Sequence, residues 1–102
     1  MATAEISLYP VGTDSPNLSF YIARSIESIQ DLGIKHQTTP MGTILESDDL
    51  QKIFDATKAM TETIHRLGVK RVEIILKIDS RTDKKQSAED KMKSLGRHLK
   101  GA

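Results

Sequence analysis

The chain of 102 residues has no cysteine and no tryptophan, and its only aromatic residues are two tyrosines and two phenylalanines. Without cysteine it cannot build a disulfide framework, a thiolate metal site or a cysteine nucleophile. Its hydrophobic share is only 37%, and a domain of this length buries only about two-thirds of the surface that its unfolded chain exposes. We therefore expect one domain spanning residues 1–102 that gains further burial by binding copies of itself.

The chain also lacks an excess of charge of either sign, since 15 basic residues face 14 acidic ones. Nucleic-acid-binding proteins usually carry a clear basic excess, so we expect no nucleic-acid partner. No apolar run is long enough to span a membrane, and the first ten residues show neither the basic nor the apolar region of a signal peptide. These features predict a cytoplasmic protein with no membrane partner.

Hydrophobic periodicity predicts the element order β-α-β-β-α-β-α. Residues 2–11 alternate as a half-buried strand, and helical spacing of apolar residues marks three later segments. The predicted strands are 2–11, 34–39, 41–46 and 69–79, and the predicted helices are 16–32, 50–67 and 88–99. Two β-α-β halves joined by a hairpin form the ferredoxin-like arrangement. We thus predict an α+β fold whose four-stranded antiparallel sheet carries two helices on one face, plus a C-terminal helix.

The face of the sheet turned away from the two long helices, called here the open face, is predicted to carry a mixture of side chains. Its expected members are Glu5, Ser7, Tyr9, Thr43, Leu45, Glu73, Ile75, Lys77 and Asp79. Apolar Leu45 and Ile75 among small polar neighbours favour a face partly covered by a second subunit. The alternative is a solvated face with two scattered aliphatic residues, which is common in soluble proteins.

The motifs of catalysis and cofactor binding are absent from the sequence. The three histidines have no partner at metal-ligand spacing, and no glycine-rich phosphate loop is present. No nucleophile and base stand in a recognised pattern. We therefore expect a protein that is not an enzyme and has no metal or cofactor, although acid–base pairs assembled between subunits would escape a reading of one sequence. A basic cluster of Arg81, Lys84 and Lys85 suits either an anion site or a solvated loop.

Three segments carry a family resemblance: AEISLYPVGT, PMGTILE, and KIDSRTDKK followed by a helix containing K-x-x-S. Together they resemble the small thiamine-binding-protein-like family, and the resemblance covers nearly the whole chain. It implies a ferredoxin-like homo-oligomer, commonly dimers paired into a tetramer, that binds thiamine or its hydroxymethylpyrimidine half in some relatives and has no catalytic activity. The chain departs from the family pattern at Ser47, where relatives often have Gly, and at Ser80, where they often have Asp.

The resemblance and the residue chemistry together predict a ligand site. Its candidate residues are Glu5, Ser7, Tyr9, Thr43, Glu46, Lys77 and Arg81. An aminopyrimidine needs hydrogen-bond partners such as Glu46, Thr43 and Ser7, whereas a thiazolium cation favours Glu5 or the ring of Tyr9. The function expected is non-enzymatic binding of thiamine or its pyrimidine in a cleft at the sheet face or subunit interface. The alternative function is a structural or regulatory oligomer without a ligand. For Glu46, the alternative role is to stabilise the N-terminus of the helix that follows it.

Overall fold

The computed structural model describes residues 1–99. Its elements are β1 (Ala2–Val11), α1 (Ser19–Glu27), β2 (Lys35–Thr39), β3 (Gly42–Ser47), α2 (Leu50–Arg66), β4 (Arg71–Ser80) and α3 (Ala88–His98). The predicted element order is confirmed. The first helix is shorter than predicted, because the hydroxyl of Ser15 accepts a hydrogen bond from the backbone N–H of Asn17 in a local turn and α1 begins only at Ser19. None of the helices within residues 1–99 is long and apolar enough to cross a membrane.

The four strands form one antiparallel sheet in the order β2-β3-β1-β4. The first and third strands are therefore central, as the ferredoxin-like arrangement requires. Helices α1 and α2 cover one face of the sheet, where alternate residues of β1 join the apolar stripe of α2 in the core. Asp49 caps α2 by accepting a hydrogen bond from the backbone N–H of Gln51 at 2.9 Å. Gly68, at a φ of +96° that other residues rarely adopt, follows the last turn of α2.

The prediction that Thr43 and Leu45 lie on the open face is wrong. Strand β3 pairs with β1 so that Leu45 stands opposite Ala4 and Thr43 opposite Ile6, and residues directly opposite each other share a face. Both side chains are therefore buried beneath the helices, with Leu45 0% exposed. Alternation tells which residues of one strand share a face but not which face that is, and a phase error of one residue exchanges the two sets.

The rest of the open face agrees with the sequence pattern. The β1–β4 register places Glu5 opposite Lys77, Ser7 opposite Ile75, and Tyr9 opposite Glu73. From β3 this face receives Ile44 and Glu46, in place of the two residues that the pattern predicted.

The N-terminal end of α3 lies over part of this face. Ser87 and Asp90 form a capping box, in which the hydroxyl of Ser87 accepts from the N–H of Asp90 and the carboxylate of Asp90 accepts from the N–H of Ser87. Lys91 pairs with Asp79 on β4, and the backbone of Ala88 is bound by Glu46. No residue of α3 is buried, so polar contacts provide much of what holds this helix on the sheet.

Candidate functional site

A cavity of about 180 Å³ lies where the end of β1, the β2–β3 turn and α1 meet, and is called here the first cavity. Its walls are mainly apolar and include Ile6, Leu8, Ile22 and Met60. Two buried residues of small polar character, Ser25 and Thr43, also line it. The arrangement offers an apolar slot with hydroxyl groups at its wall, which suits a small ring with polar edges.

The β2–β3 turn that closes this cavity is fixed by one hydroxyl group. The Oγ1 of Thr39 accepts hydrogen bonds from the N–H groups of Met41 and Gly42, at 3.2 and 3.1 Å, and donates to the carbonyl of Gly42 at 2.9 Å. Pairing of Thr39 with Gly42 leaves only Pro40 and Met41 as the turn. Such a tight, hydrogen-bonded turn holds one wall of the cavity in place.

Gly42 allows this hairpin to lie close to β1. A Cβ atom at this position would lie 3.0 Å from both the carbonyl oxygen of Ile6 and the Oγ of Ser7. The hydroxyl of Ser7 donates to the carbonyl of Met41 at 3.0 Å, so it ties β1 to the turn. Ser7 therefore makes a structural hydrogen bond and also lines the cavity.

The hydroxyl groups of these two buried residues differ in their hydrogen bonds. The Oγ of Ser25 donates to the carbonyl of Ile22 at 2.7 Å, within its own helix, and retains lone pairs that can accept. Thr43 takes part in none of the side-chain hydrogen bonds found within residues 1–99, and its hydroxyl oxygen is not among the atoms buried without a partner, so it opens into the cavity. The hydroxyl of Thr43 is therefore available to bond a ligand there.

A second cavity, of about 330 Å³, lies on the open face between the β2–β3 hairpin and α3. Its lining includes Lys35, Gln37, Ile44, Glu46 and Met92. Glu46 is only 6% exposed, and its Oε1 accepts a hydrogen bond of 2.5 Å from the N–H of Ala88, at the start of α3. Glu46 thus sits at a helix N-terminus, as one alternative predicted, but the helix is α3 and not α2.

The structure does not bring the seven candidate residues into one site. Ser7, Tyr9 and Thr43 line the first cavity, and Glu46 lines the second. The remaining three, Glu5, Lys77 and Arg81, line neither cavity: Glu5 and Lys77 are cross-strand neighbours on the open face, and Arg81 follows β4.

Arg81 is engaged with its own loop. Its Nε donates to Asp83 at 2.8 Å and its Nη1 donates to the side chain of Gln86 at 3.0 Å. The hydrogen bond with Arg81 lowers the pKa of Asp83 to about 2. Lys85 in the same cluster approaches Asp48 at 3.4 Å, so these two members of the basic cluster already face carboxylates.

Among the residues of the first cavity that the sequence analysis did not name as site candidates are Ile22, Ser25 and Met60. A signal for Ser25 was present, because it occupies a position of the apolar stripe of α1, between Ile22 and Ile29 at spacings of three and four. A serine on the buried stripe of a helix indicates a local polar requirement. Ile22 and Met60 carry no such signal, since core packing accounts for both.

The fold and the two cavities define a small ferredoxin-like domain with a cavity on each side of β3. Comparison with known families is more specific, because the profile of the thiamine-binding protein family matches residues 4–96. The chain belongs to this family.

Curated relatives of the chain match it over almost their whole length. It is 39% identical to a UPF0045 protein of Methanothermobacter thermautotrophicus over 95 residues, 93% of this chain and 96% of that protein. It is 38% identical to the UPF0045 protein YqgV of Bacillus subtilis over 103 residues, 97% and 98% of the two chains.

Solved structures support the same assignment. The protein MJ1052 of Methanocaldococcus jannaschii superposes with a TM-score of 0.81 at 36% identity, covering 93% of this chain and 95% of that one. The Thermotoga maritima protein TM0486, provisionally assigned to thiamine biosynthesis or salvage, has a TM-score of 0.77 at 26% identity and covers 92% and 97% of the two chains.

Proposed function

We propose that the protein binds thiamine, or its hydroxymethylpyrimidine half, in the first cavity without transforming it. Membership of the thiamine-binding protein family supports a small-molecule ligand. The observation that carries the location is Thr43, a buried residue whose hydroxyl opens into a mainly apolar cavity and takes part in none of the side-chain hydrogen bonds found within residues 1–99. The 4-amino group and ring nitrogens of the pyrimidine provide donors and acceptors for such a hydroxyl.

The size of the first cavity favours one ring over the whole vitamin. Pockets that enclose drug-sized ligands measure about 300–1,000 Å³, whereas this cavity measures about 180 Å³. The pyrimidine would therefore lie inside and the thiazolium ring outside, at the rim. Tyr9 borders the cavity, but its side chain lies on the open face, opposite Glu73, so the thiazolium ring outside the cavity gains no enclosing contact.

The lining of the first cavity supports binding over catalysis. Its described members are aliphatic residues, two methionines, a proline, a glycine, a tyrosine, serines and threonines, with no carboxylate, imidazole or amine among them. A serine or threonine hydroxyl needs an adjacent base to act as a nucleophile. The buried Ser25 instead donates to a backbone carbonyl of its own helix.

We also propose that the protein forms a dimer or tetramer through the open face and α3. Ile75 is 62% exposed there. Leu95 and Leu99, the apolar residues at the C-terminal end of the chain's last helical stripe, are each at least half exposed. A second copy covering these side chains would supply the burial that a lean, cysteine-free chain lacks.

Isothermal titration calorimetry with hydroxymethylpyrimidine and with thiamine tests the ligand proposal. We expect similar affinities for both, because only the pyrimidine half enters the cavity. Thr43→Val keeps the shape but removes the hydroxyl, and we expect about a three- to tenfold loss of affinity, the value of one hydrogen bond. Thr57→Val is the matched control, because the hydroxyl of Thr57 bonds only within α2, to the carbonyl of Ile53.

Two results would count against this proposal. The absence of heat with both compounds at high micromolar protein would remove the thiamine-like ligand. Binding that survives Thr43→Val unchanged but is lost in Glu46→Gln would move the ligand from the first cavity to the second. Light scattering tests self-association separately, since a wild-type protein of single-chain mass at high micromolar concentration would exclude the dimer.

A further inference from the structure

The second cavity contains a buried carboxylate oxygen whose bonding is incomplete. Oε1 of Glu46 accepts from the N–H of Ala88, but Oε2 is buried and no donor in residues 1–99 reaches it with hydrogen-bond geometry. The nearest cation is Nζ of Lys35, at 3.5 Å, which is longer than the roughly 2.7–3.2 Å of an N–H···O bond. Buried charged groups are normally paired and hydrogen-bonded, so Oε2 indicates a missing donor.

Lys35 is poorly placed to be the permanent partner of this oxygen. Its side chain is 71% exposed, so holding the ammonium group over Glu46 restrains a long, flexible chain that water solvates well. The Nζ of Lys35 is nevertheless the cation nearest to Oε2 of Glu46, which indicates that this oxygen attracts an alkylammonium group.

The walls of the cavity define the rest of the ligand. Ile44 from the sheet and Met92 from α3 give it apolar surface, and Glu89 adds a second carboxylate. Gln37 and His36 complete the polar lining. Two carboxylates against one ammonium disfavour an anion, and the volume of about 330 Å³ lies at the small end of the roughly 300–1,000 Å³ range of ligand pockets.

We propose that the second cavity binds a small organic ammonium ion, which donates an N–H to Oε2 of Glu46 while its apolar part lies against Ile44 and Met92. This site is separate from the first cavity, because the two linings share no residue. The ligand would displace the ammonium of Lys35, which returns to water. Its arrival would complete the bonding of a carboxylate that already holds the start of α3.

Benzylammonium chloride is the probe, and benzyl alcohol, of the same shape without charge, is its control. We expect benzylammonium to shift the backbone amide signals of Gln37, Ile44 and Ala88 in nitrogen–proton correlation spectra, with a dissociation constant of about 1 mM for so small a ligand. Benzyl alcohol should bind at least about tenfold more weakly, since it lacks the charge-assisted hydrogen bond. Equal shifts with both compounds, or shifts confined to other residues, would overturn the proposal.

Lys35→Met is the decisive variant, because the proposal predicts tighter benzylammonium binding in it, and an unfolded protein would not bind more tightly. Removing the competing ammonium should tighten benzylammonium binding by about threefold or more. Lys58→Met removes the same charge from an exposed position on α2 and should leave the affinity unchanged. Glu46→Gln should weaken binding by about tenfold or more, in spectra that remain dispersed. Unchanged or weaker binding in Lys35→Met would refute the site even if Glu46→Gln fails to fold.

Discussion

Replacing Leu45 with alanine tests the face assignment of β3 and, with it, the location of both cavities. The Leu45 side chain is fully buried, opposite Ala4, in the core between the sheet and the helices. Truncating a buried leucine to alanine typically costs about 2–5 kcal/mol. A domain of this size is stable by only about 5–15 kcal/mol, so the substitution removes a large part of its stability.

The matched substitution is Ile75→Ala, also on the sheet but on the open face, where Ile75 is 62% exposed. In a single copy of the chain this change is expected to alter the free energy of unfolding by no more than about 0.5 kcal/mol. If a second copy covers this face, the cost rises with protein concentration, because association stabilises only the folded state. The pair therefore separates a core role from an interface role.

Urea denaturation followed by circular dichroism, at several protein concentrations, measures both effects. We expect the midpoint for Leu45→Ala to fall at every concentration, and its melting temperature to fall by at least about 8 °C, since 1 kcal/mol corresponds to about 4–8 °C. A cost below about 1 kcal/mol for Leu45→Ala, together with a larger cost for Ile75→Ala at low concentration, would refute the register. It would place β3 one residue out of phase.

Two further predictions concern the turn beside the first cavity and the loop after β4. Gly42→Ala should lower the free energy of unfolding, measured by urea denaturation, by about 1–3 kcal/mol, because its Cβ would lie 3.0 Å from the carbonyl oxygen of Ile6. Gly96→Ala is the control, because a Cβ there meets no atom within 4 Å. Equal stability of the two variants would contradict the close approach of the hairpin to β1. Arg81 lowers the pKa of Asp83 from 3.8 to about 2, so this pair stabilises the fold fully above pH 3.8 and the effect is lost as pH falls through about 2. In Arg81→Met, the midpoint measured by carboxyl NMR should rise towards 3.8, and a midpoint that stays near 2 would remove Arg81 as the cause.

Local signals in the sequence were enough to predict the elements and their order. Alternation along residues 2–11 predicted β1, whose observed bounds are Ala2–Val11. Ser87 followed three positions later by Asp90 is the sequence pattern of a capping box, and both of its hydrogen bonds are present at the start of α3. These features depend on residues close together in the chain, where the periodicity and capping preferences of the backbone decide the structure.

The phase of β3 and the environment of Glu46 depend on contacts between distant parts of the chain. Ile44 and Leu45 are adjacent and both apolar, so alternation within β3 does not say which of them faces the core. Pairing with β1 decides it. Glu46 is buried because the start of α3, at Ala88, returns to it from 42 positions along the chain. A single sequence contains no local signal for either contact.

The alternation of β3 explains why the candidate residues from one short motif separate into two places. Thr43 points towards α1 and α2, and so lines the first cavity, whereas Ile44 and Glu46 point to the open face and line the second. Successive residues of a strand face opposite sides, so Thr43 and Glu46, three positions apart, cannot contact one ligand from the same side of the sheet. A motif that reads as one pocket in the sequence therefore supplies a hydroxyl to one cavity and a carboxylate to the other, and only the backbone of β3 connects them.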